Sequence, residues 1–222
     1  MKAIEEAVFV KSAAGLADFP TDRLPEVALV GRSNVGKSSL INALTRRRLA
    51  RTSAAPGKTR LANLYRIVRG ADAPFYLVDL PGYGYARGGA DASREFDELT
   101  RGFFGRRSPG RAGQAPAGLL LVDARHPGLE ADVAAWRWLL DAADGAAIVA
   151  TKIDKLARGQ RIRAMKQMEY VFASPVMPVS SATGEGLDEL WKLIDTLANN
   201  PSRPSRSPRR KGAAPPPRPR KN

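Results

Sequence analysis

The chain has 222 residues, with 36 Lys and Arg against 22 Asp and Glu, a formal net charge of +14 and no cysteine. Such a length allows one domain of about 190 residues plus an appendage. Without thiols there is no disulfide framework or thiolate metal site, which fits a reducing compartment. The start, Met1-Lys2-Ala3-Ile4-Glu5-Glu6, carries acids and no apolar run, so it is not read as a signal peptide. No stretch reaches the roughly 18 apolar residues that span a bilayer, so a soluble, cytoplasmic protein without a membrane span is expected.

Residues 1–24 read as an N-terminal extension. The first strand ends in Val27-Ala28-Leu29-Val30 and runs into Gly31-Arg32-Ser33-Asn34-Val35-Gly36-Lys37-Ser38, which fits the phosphate-binding pattern G-x-x-x-x-G-K-[ST] without a mismatch. Ser39-Leu40-Ile41-Asn42-Ala43-Leu44 then opens a helix with apolar residues at helical spacing. Strand, glycine-rich turn and helix N-terminus make an anion cradle, because backbone N–H groups point inward and the helix dipole adds positive potential. Lys37 is expected to reach the β- and γ-phosphates, and the Ser38 hydroxyl to take one Mg²⁺ position.

Downstream, Pro56-Gly57-Lys58-Thr59-Arg60-Leu61 is a loop before a strand at 64–69. Thr59 is the candidate for a second Mg²⁺ hydroxyl ligand, released after hydrolysis, with Thr52 the competing choice. A strand at 75–79 leads to Asp79-Leu80-Pro81-Gly82, where Asp79 can hold a water on Mg²⁺ and Gly82 can offer its N–H to the γ-phosphate. Lys37, Thr59 and Gly82 are therefore the expected catalytic set. A helix is expected around 93–104, overlapping a cluster of Arg101, Arg106, Arg107 and Arg111 with Phe103 and Phe104. Those rings can stack on bases or belong to the core, and the core reading is preferred. Pro109 to Pro116 is expected to be a surface loop.

A strand at 118–123 is followed by a helix at 130–142 with Trp136, Leu139 and Leu140 expected on one face. Trp136 and Trp138 cannot share a helix face, so one is core and the other partly exposed. His126, the sole histidine, is not assigned a general-base role. A strand at 147–151 enters Thr151-Lys152-Ile153-Asp154. The Asp154 carboxylate can accept hydrogen bonds from the guanine N1–H and 2-amino group, which adenine lacks. The Lys152 stem can lie along the base and brace the phosphate loop. After a helix at 158–172, the strand at 176–179 ends in Val179-Ser180-Ser181-Ala182, whose small residues let backbone N–H groups approach the guanine O6; a helix at 186–198 closes the domain. This alternation argues an α/β fold, a mostly parallel six-stranded sheet with helices on both faces and the site at its carboxyl edge. GTP and GDP are the expected ligands.

Residues 201–222 carry eight of the +14 charges, no acid and seven of the 17 prolines. The stretch 200–222 therefore reads as a disordered basic tail outside the domain at 25–199. Its arginines suit phosphate contacts with RNA; the alternative is a solubilising tail.

The segments GRSNVGKSSLINAL, PGKTRLANLY, VDLPGYGYA, LVDARHPG and TKIDKL, in that order, resemble the bacterial EngB (YihA/YsxC) GTPases, a branch of the Era-like class, over about residues 5–198. The resemblance implies a Ras-like P-loop GTPase domain that hydrolyses GTP with Mg²⁺. It also implies action in assembly of the large (50S) ribosomal subunit, with its precursor or rRNA as partner and no oligomer required. The alternative is a nucleotide-gated module for cell division and septation, in which hydrolysis only resets the protein. Asn34 resembles the asparagine that holds K⁺ beside the phosphates in related GTPases, which makes K⁺ a second candidate cofactor. Tyr83 stands where Ras-type enzymes place a water-orienting glutamine, so slow basal turnover is expected.

Overall fold

The computed structural model describes residues 2–22, 24–51, 61–83, 98–106 and 115–199. Their elements in chain order are β1 (Ile4–Ala13), β2 (Glu26–Gly31), α1 (Lys37–Thr45), β3 (Ala62–Arg69), β4 (Phe75–Asp79), helical residues 98–105 (α2), β5 (Ala117–Asp123), α3 (Glu130–Ala142), β6 (Ala146–Thr151), α4 (Arg158–Phe172), β7 (Val176–Pro178) and α5 (Leu187–Asn199). Every residue of β4 and β5 is buried, as is β2 from Val27 onward. Strands covered on both faces lose polar alternation, which is why these segments read as unbroken apolar runs.

One sheet takes all the strands in the order β1-β3-β4-β2-β5-β6-β7. The pairs β2–β4, β2–β5, β5–β6 and β6–β7 are parallel, and the pairs of β3 with β1 and β4 are antiparallel. The α/β class and the mostly parallel sheet agree with the sequence reading, but the sheet has seven strands rather than six. The added strand is β1, drawn from the residues expected to form an extension. Two register shifts, between Ile4 and Glu6 and between Phe9 and Lys11, disrupt its alternation and hide it from a period-two search.

Two cores flank the sheet. On one face Leu40, Ile41 and Leu44 of α1 meet Leu190, Trp191 and Ile194 of α5. The other face buries Phe103 and Phe104 of α2, Trp136 and Leu139 of α3, and Met168 and Phe172 of α4. Phe103 and Phe104 are thus core residues rather than base-stacking platforms, and Arg106 lies over the Phe19 ring at 4.0 Å while binding Glu26 at 2.9 Å. Trp136 is buried and Trp138 only partly so, as their spacing requires. Leu140 departs from expectation. It is exposed, because it lies about 100° around the helix from Leu139, which already fills the core position.

Candidate active site

All five parallel strands end at the same edge, and each delivers a functional segment there. β2 ends at Gly31 and the phosphate loop begins. Gly36 takes φ 112°, a left-handed conformation open to glycine, and turns the chain into α1 with Lys37 as its first residue. Asn34 also adopts a left-handed backbone, with φ 62°.

Lys37 is 9% exposed and its Nζ approaches the Gly31 carbonyl oxygen at 3.4 Å. Asp79, at the end of β4, is 3% exposed and accepts a bond from Ser38 Oγ at 2.9 Å. Burial pushes the Lys37 ammonium below its ordinary pKa, with Asp79 opposing the shift. Burial likewise raises Asp79, against the pull of Lys37 and Ser38. Taking an ion out of water costs several kcal/mol, so both groups favour a ligand bringing opposite charge: phosphate oxygens to Lys37, a cation to the Ser38–Asp79 pair. One hydroxyl and one carboxylate fit Mg²⁺, which keeps waters and phosphate oxygens in its shell. No cluster of three acidic, His or Cys side chains exists among the described residues to cage a metal outright.

The segment after β4 lies on the phosphate loop. Ser33 N donates to Tyr83 O at 3.2 Å, and Tyr83 N to Gly31 O at 3.3 Å. Gly82 has to be glycine, since a Cβ there would stand 2.6 Å from Ser33 N. The Tyr83 phenol points the other way and donates to Asp132 Oδ1 of α3 at 2.8 Å. Burial raises the pKa of the phenol and of Asp132.

The expected base-reading residues also converge. Ser180, fully buried past β7, donates through Oγ to Asp154 Oδ1 at 2.7 Å and holds that carboxyl below its ordinary range. The same oxygen receives the N–H groups of Ala182 and Thr183 at 3.2 and 3.1 Å, which fixes the turn containing Ser181. Val179 is buried in the α1/α5 core and Ile153 in the opposite one, anchoring both turns. Thr151 Oγ1 donates to Val35 O at 2.8 Å, and Lys152 Nζ to Asn34 O at 2.6 Å, so the base loop braces the phosphate loop.

Asp123, for which the sequence reading gave no role, accepts Lys152 Nζ at 2.9 Å and Arg125 Nη2 at 2.7 Å. Burial opposes its charge, yet the bonds from Arg125 and Lys152 outweigh burial and depress its pKa. A strand-end acid in line with Asp79 was the available signal. Leu80 and Pro81 are buried beneath the segment, Arg32 bridges Tyr83, and Leu61 is exposed just before β3. His126 is exposed on the turn after β5, where its backbone N–H donates to the Asp123 carbonyl oxygen at 2.9 Å. Gly57, Lys58, Thr59, Arg60 and the competing Thr52 lie outside the described residues, as do Arg107, Arg111 and the tail.

A family model described as 50S ribosome-binding GTPase matches residues 26–152. The chain is 44% identical over 201 residues to a probable GTP-binding protein EngB of Heliobacterium modesticaldum, covering 88% of this chain and 94% of the relative. It is 38% identical over 198 residues to that of Thermotoga maritima, covering 87% and 97%. Among solved structures, Era of Aquifex aeolicus bound to GDP and AlF₄⁻ superposes with a TM-score of 0.67 at 23% identity, over 79% of this chain and 57% of that one. A probable GTP-binding protein engB superposes with 0.59 at 20% identity, over 78% and 98%. These two likenesses show the Ras-like P-loop fold. The chain belongs to the EngB family of GTP-binding proteins and is a GTPase.

Proposed function

We propose that this protein is a GTP-driven switch that binds the large ribosomal subunit or its precursor and leaves after hydrolysis. The carrying observation is the Gly82–Tyr83 backbone laid directly on the phosphate loop at Ser33 and Gly31. In this reading a γ-phosphate bound between Lys37 and Gly82 moves or locks that segment, which makes it a reader of nucleotide state. The 50S reading is supported by the family model's description, matched over residues 26–152. No helix among the described residues is long and apolar enough to cross a membrane. The reading places the protein in the cytoplasm with ribosomes as partner.

In this reading Arg32 to Ser38 wrap the phosphates, Lys37 offsets charge developing on the γ-phosphoryl group, and Ser38, Asp79 (through water) and Thr59 hold Mg²⁺. Bound Mg²⁺ neutralises the β- and γ-oxygens. Thr151 to Asp154 and Val179 to Ala182 receive guanine, and Gly57 to Leu61 are counted among the GTP-binding residues. Asp154 owes its orientation to Ser180. Removing a hydrogen bond to a charged group costs about 1.5 kcal/mol, so Ser180→Ala is expected to weaken GTP and GDP alike by about tenfold in calorimetric titrations. A loss confined to one nucleotide would place Ser180 among the switch residues instead.

Because the Tyr83 hydroxyl is held by Asp132, the phenol is unsuited to orient the attacking water. Basal hydrolysis is expected to be slow and unchanged in Tyr83→Phe, whereas added large subunits accelerate single-turnover hydrolysis in parent and variant. Faster basal hydrolysis in K⁺ than in Na⁺, abolished by Asn34→Ala, would assign K⁺ to the loop beside Asn34. A Tyr83→Phe variant that loses its turnover would return the phenol to the chemistry.

A further inference from the structure

Four arginines crowd the stretch that follows α1: Arg46, Arg47, Arg48 and Arg51, all exposed and with no acid between Lys37 and Arg51. Among the described residues none of the four takes part in an ion pair. Arg47 Nη1 donates to Ala7 O at 3.2 Å and so ties this segment to β1, the edge strand. Two residues along β1 lies Phe9, 49% exposed, its ring packed in T-shaped contact on Tyr65 at 5.8 Å. Ala7 and Tyr65 belong to the core on the α1 side, so the ring stands on the face of the sheet that α1 covers. Val8 and Val10 beside it are exposed too. Of the nearby acids, Glu6 is taken by Arg66 at 2.6 Å and Glu5 is exposed.

We propose that Arg46, Arg48 and Arg51, with the Phe9 ring, form a binding patch for single-stranded RNA. The inference rests on the ribosome reading above and names the chemistry of the contact. Guanidinium groups free of carboxylates are suited to bidentate phosphate contacts. A half-exposed ring held edge-on by a neighbour offers a stacking face that accepts any base. The place matters as well. Arg51 and Leu61 bracket the stretch that contains Thr59, and β1 reaches the other end of that stretch through Ala13, which pairs with Ala62. RNA on this patch therefore touches one end of the segment expected to respond to GTP, at Arg51, and the strand β1 that pairs with β3 at its other end.

The test uses the full chain, a fluorescein-labelled single-stranded RNA and purified large subunits. Arg46→Gln/Arg48→Gln/Arg51→Gln is expected to lose tenfold or more in RNA affinity, and its salt slope to flatten by about 0.7 per lost phosphate contact. Phe9→Ala is expected to lose at least fivefold with the slope unchanged, since stacking releases no counterions. Binding of GDP stays at the parent value in both, which shows that they fold. The control Arg158→Gln/Arg163→Gln/Lys166→Gln removes the same charge from exposed positions of α4 and is expected to lose threefold or less. Equal losses in patch and control variants, or parental RNA binding in the patch variant, would overturn the proposal. Parental RNA binding with loss of subunit binding would assign the patch to a protein partner and also overturn it. RNA binding lost as predicted, while the parent itself ignores large subunits in both nucleotide states, would keep the patch and sink the ribosome reading.

Discussion

Asp154→Asn is expected to lose guanine nucleotides and gain xanthine ones. The carboxylate is anchored by Ser180 at 2.7 Å and held in its charged form, so it presents an acceptor to the guanine N1–H and 2-amino group. Two bonds to a charged group are worth about 1.5–3 kcal/mol each, which sets the loss of GTP and GDP affinity at on the order of 10²–10⁴-fold. An asparagine amide at that position donates to the 2-oxo group of xanthine. Competition of XTP and GTP for the variant, read by displacement of a fluorescent nucleotide, checks the exchange. A variant that still prefers GTP as strongly as the parent would remove Asp154 from base recognition.

Asp79→Asn is expected to abolish most of the Mg²⁺ dependence of nucleotide binding. The carboxylate is buried, faces Ser38 Oγ at 2.9 Å and is the one acid at the phosphate end of β4. Loss of a partner that orients metal-bound water costs about 10–100-fold in metal affinity. Ser38→Ala should produce a loss of the same kind, and the double variant should lose less than the sum, because the two groups act on one ion. Thr59→Ala should weaken the triphosphate more than the diphosphate. The measurement is GTP and GDP affinity with and without Mg²⁺. Full Mg²⁺ dependence in Asp79→Asn would move the metal to other ligands, and equal losses for both nucleotides in Thr59→Ala would pass its role to Thr52.

The nucleotide cradle was legible because its chemistry needs particular residues at strand ends. Gly31 to Ser38, Asp79, Asp154 and Ser180 all stand at the same sheet edge, where β2, β4, β6 and β7 leave the core. What escaped reading depends on contacts between residues far apart in sequence. Tyr83 and Asp132 are 49 positions apart, and Lys152 and Asp123 are 29 apart; neither bond leaves a local pattern. Arg69, given no role in the sequence reading, is buried, paired with Asp195 at 2.5 Å and stacked 4.1 Å from the Trp191 ring, fastening β3 to α5. β1 was missed because its register shifts twice, and with it the sheet edge beside Arg47.

The central claim is that nucleotide state controls binding to the large ribosomal subunit, and co-sedimentation tests it directly. Full-length protein is mixed with isolated large subunits and their precursors in a non-hydrolysable GTP analogue or in GDP, at one fixed salt concentration. The account predicts that the protein pellets with the particles in the analogue and stays in the supernatant in GDP, and that deleting 201–222 weakens pelleting in the analogue without erasing the difference. Equal pelleting in the two nucleotides, or none in either, would contradict the account and favour a module that acts at cell division, away from the ribosome.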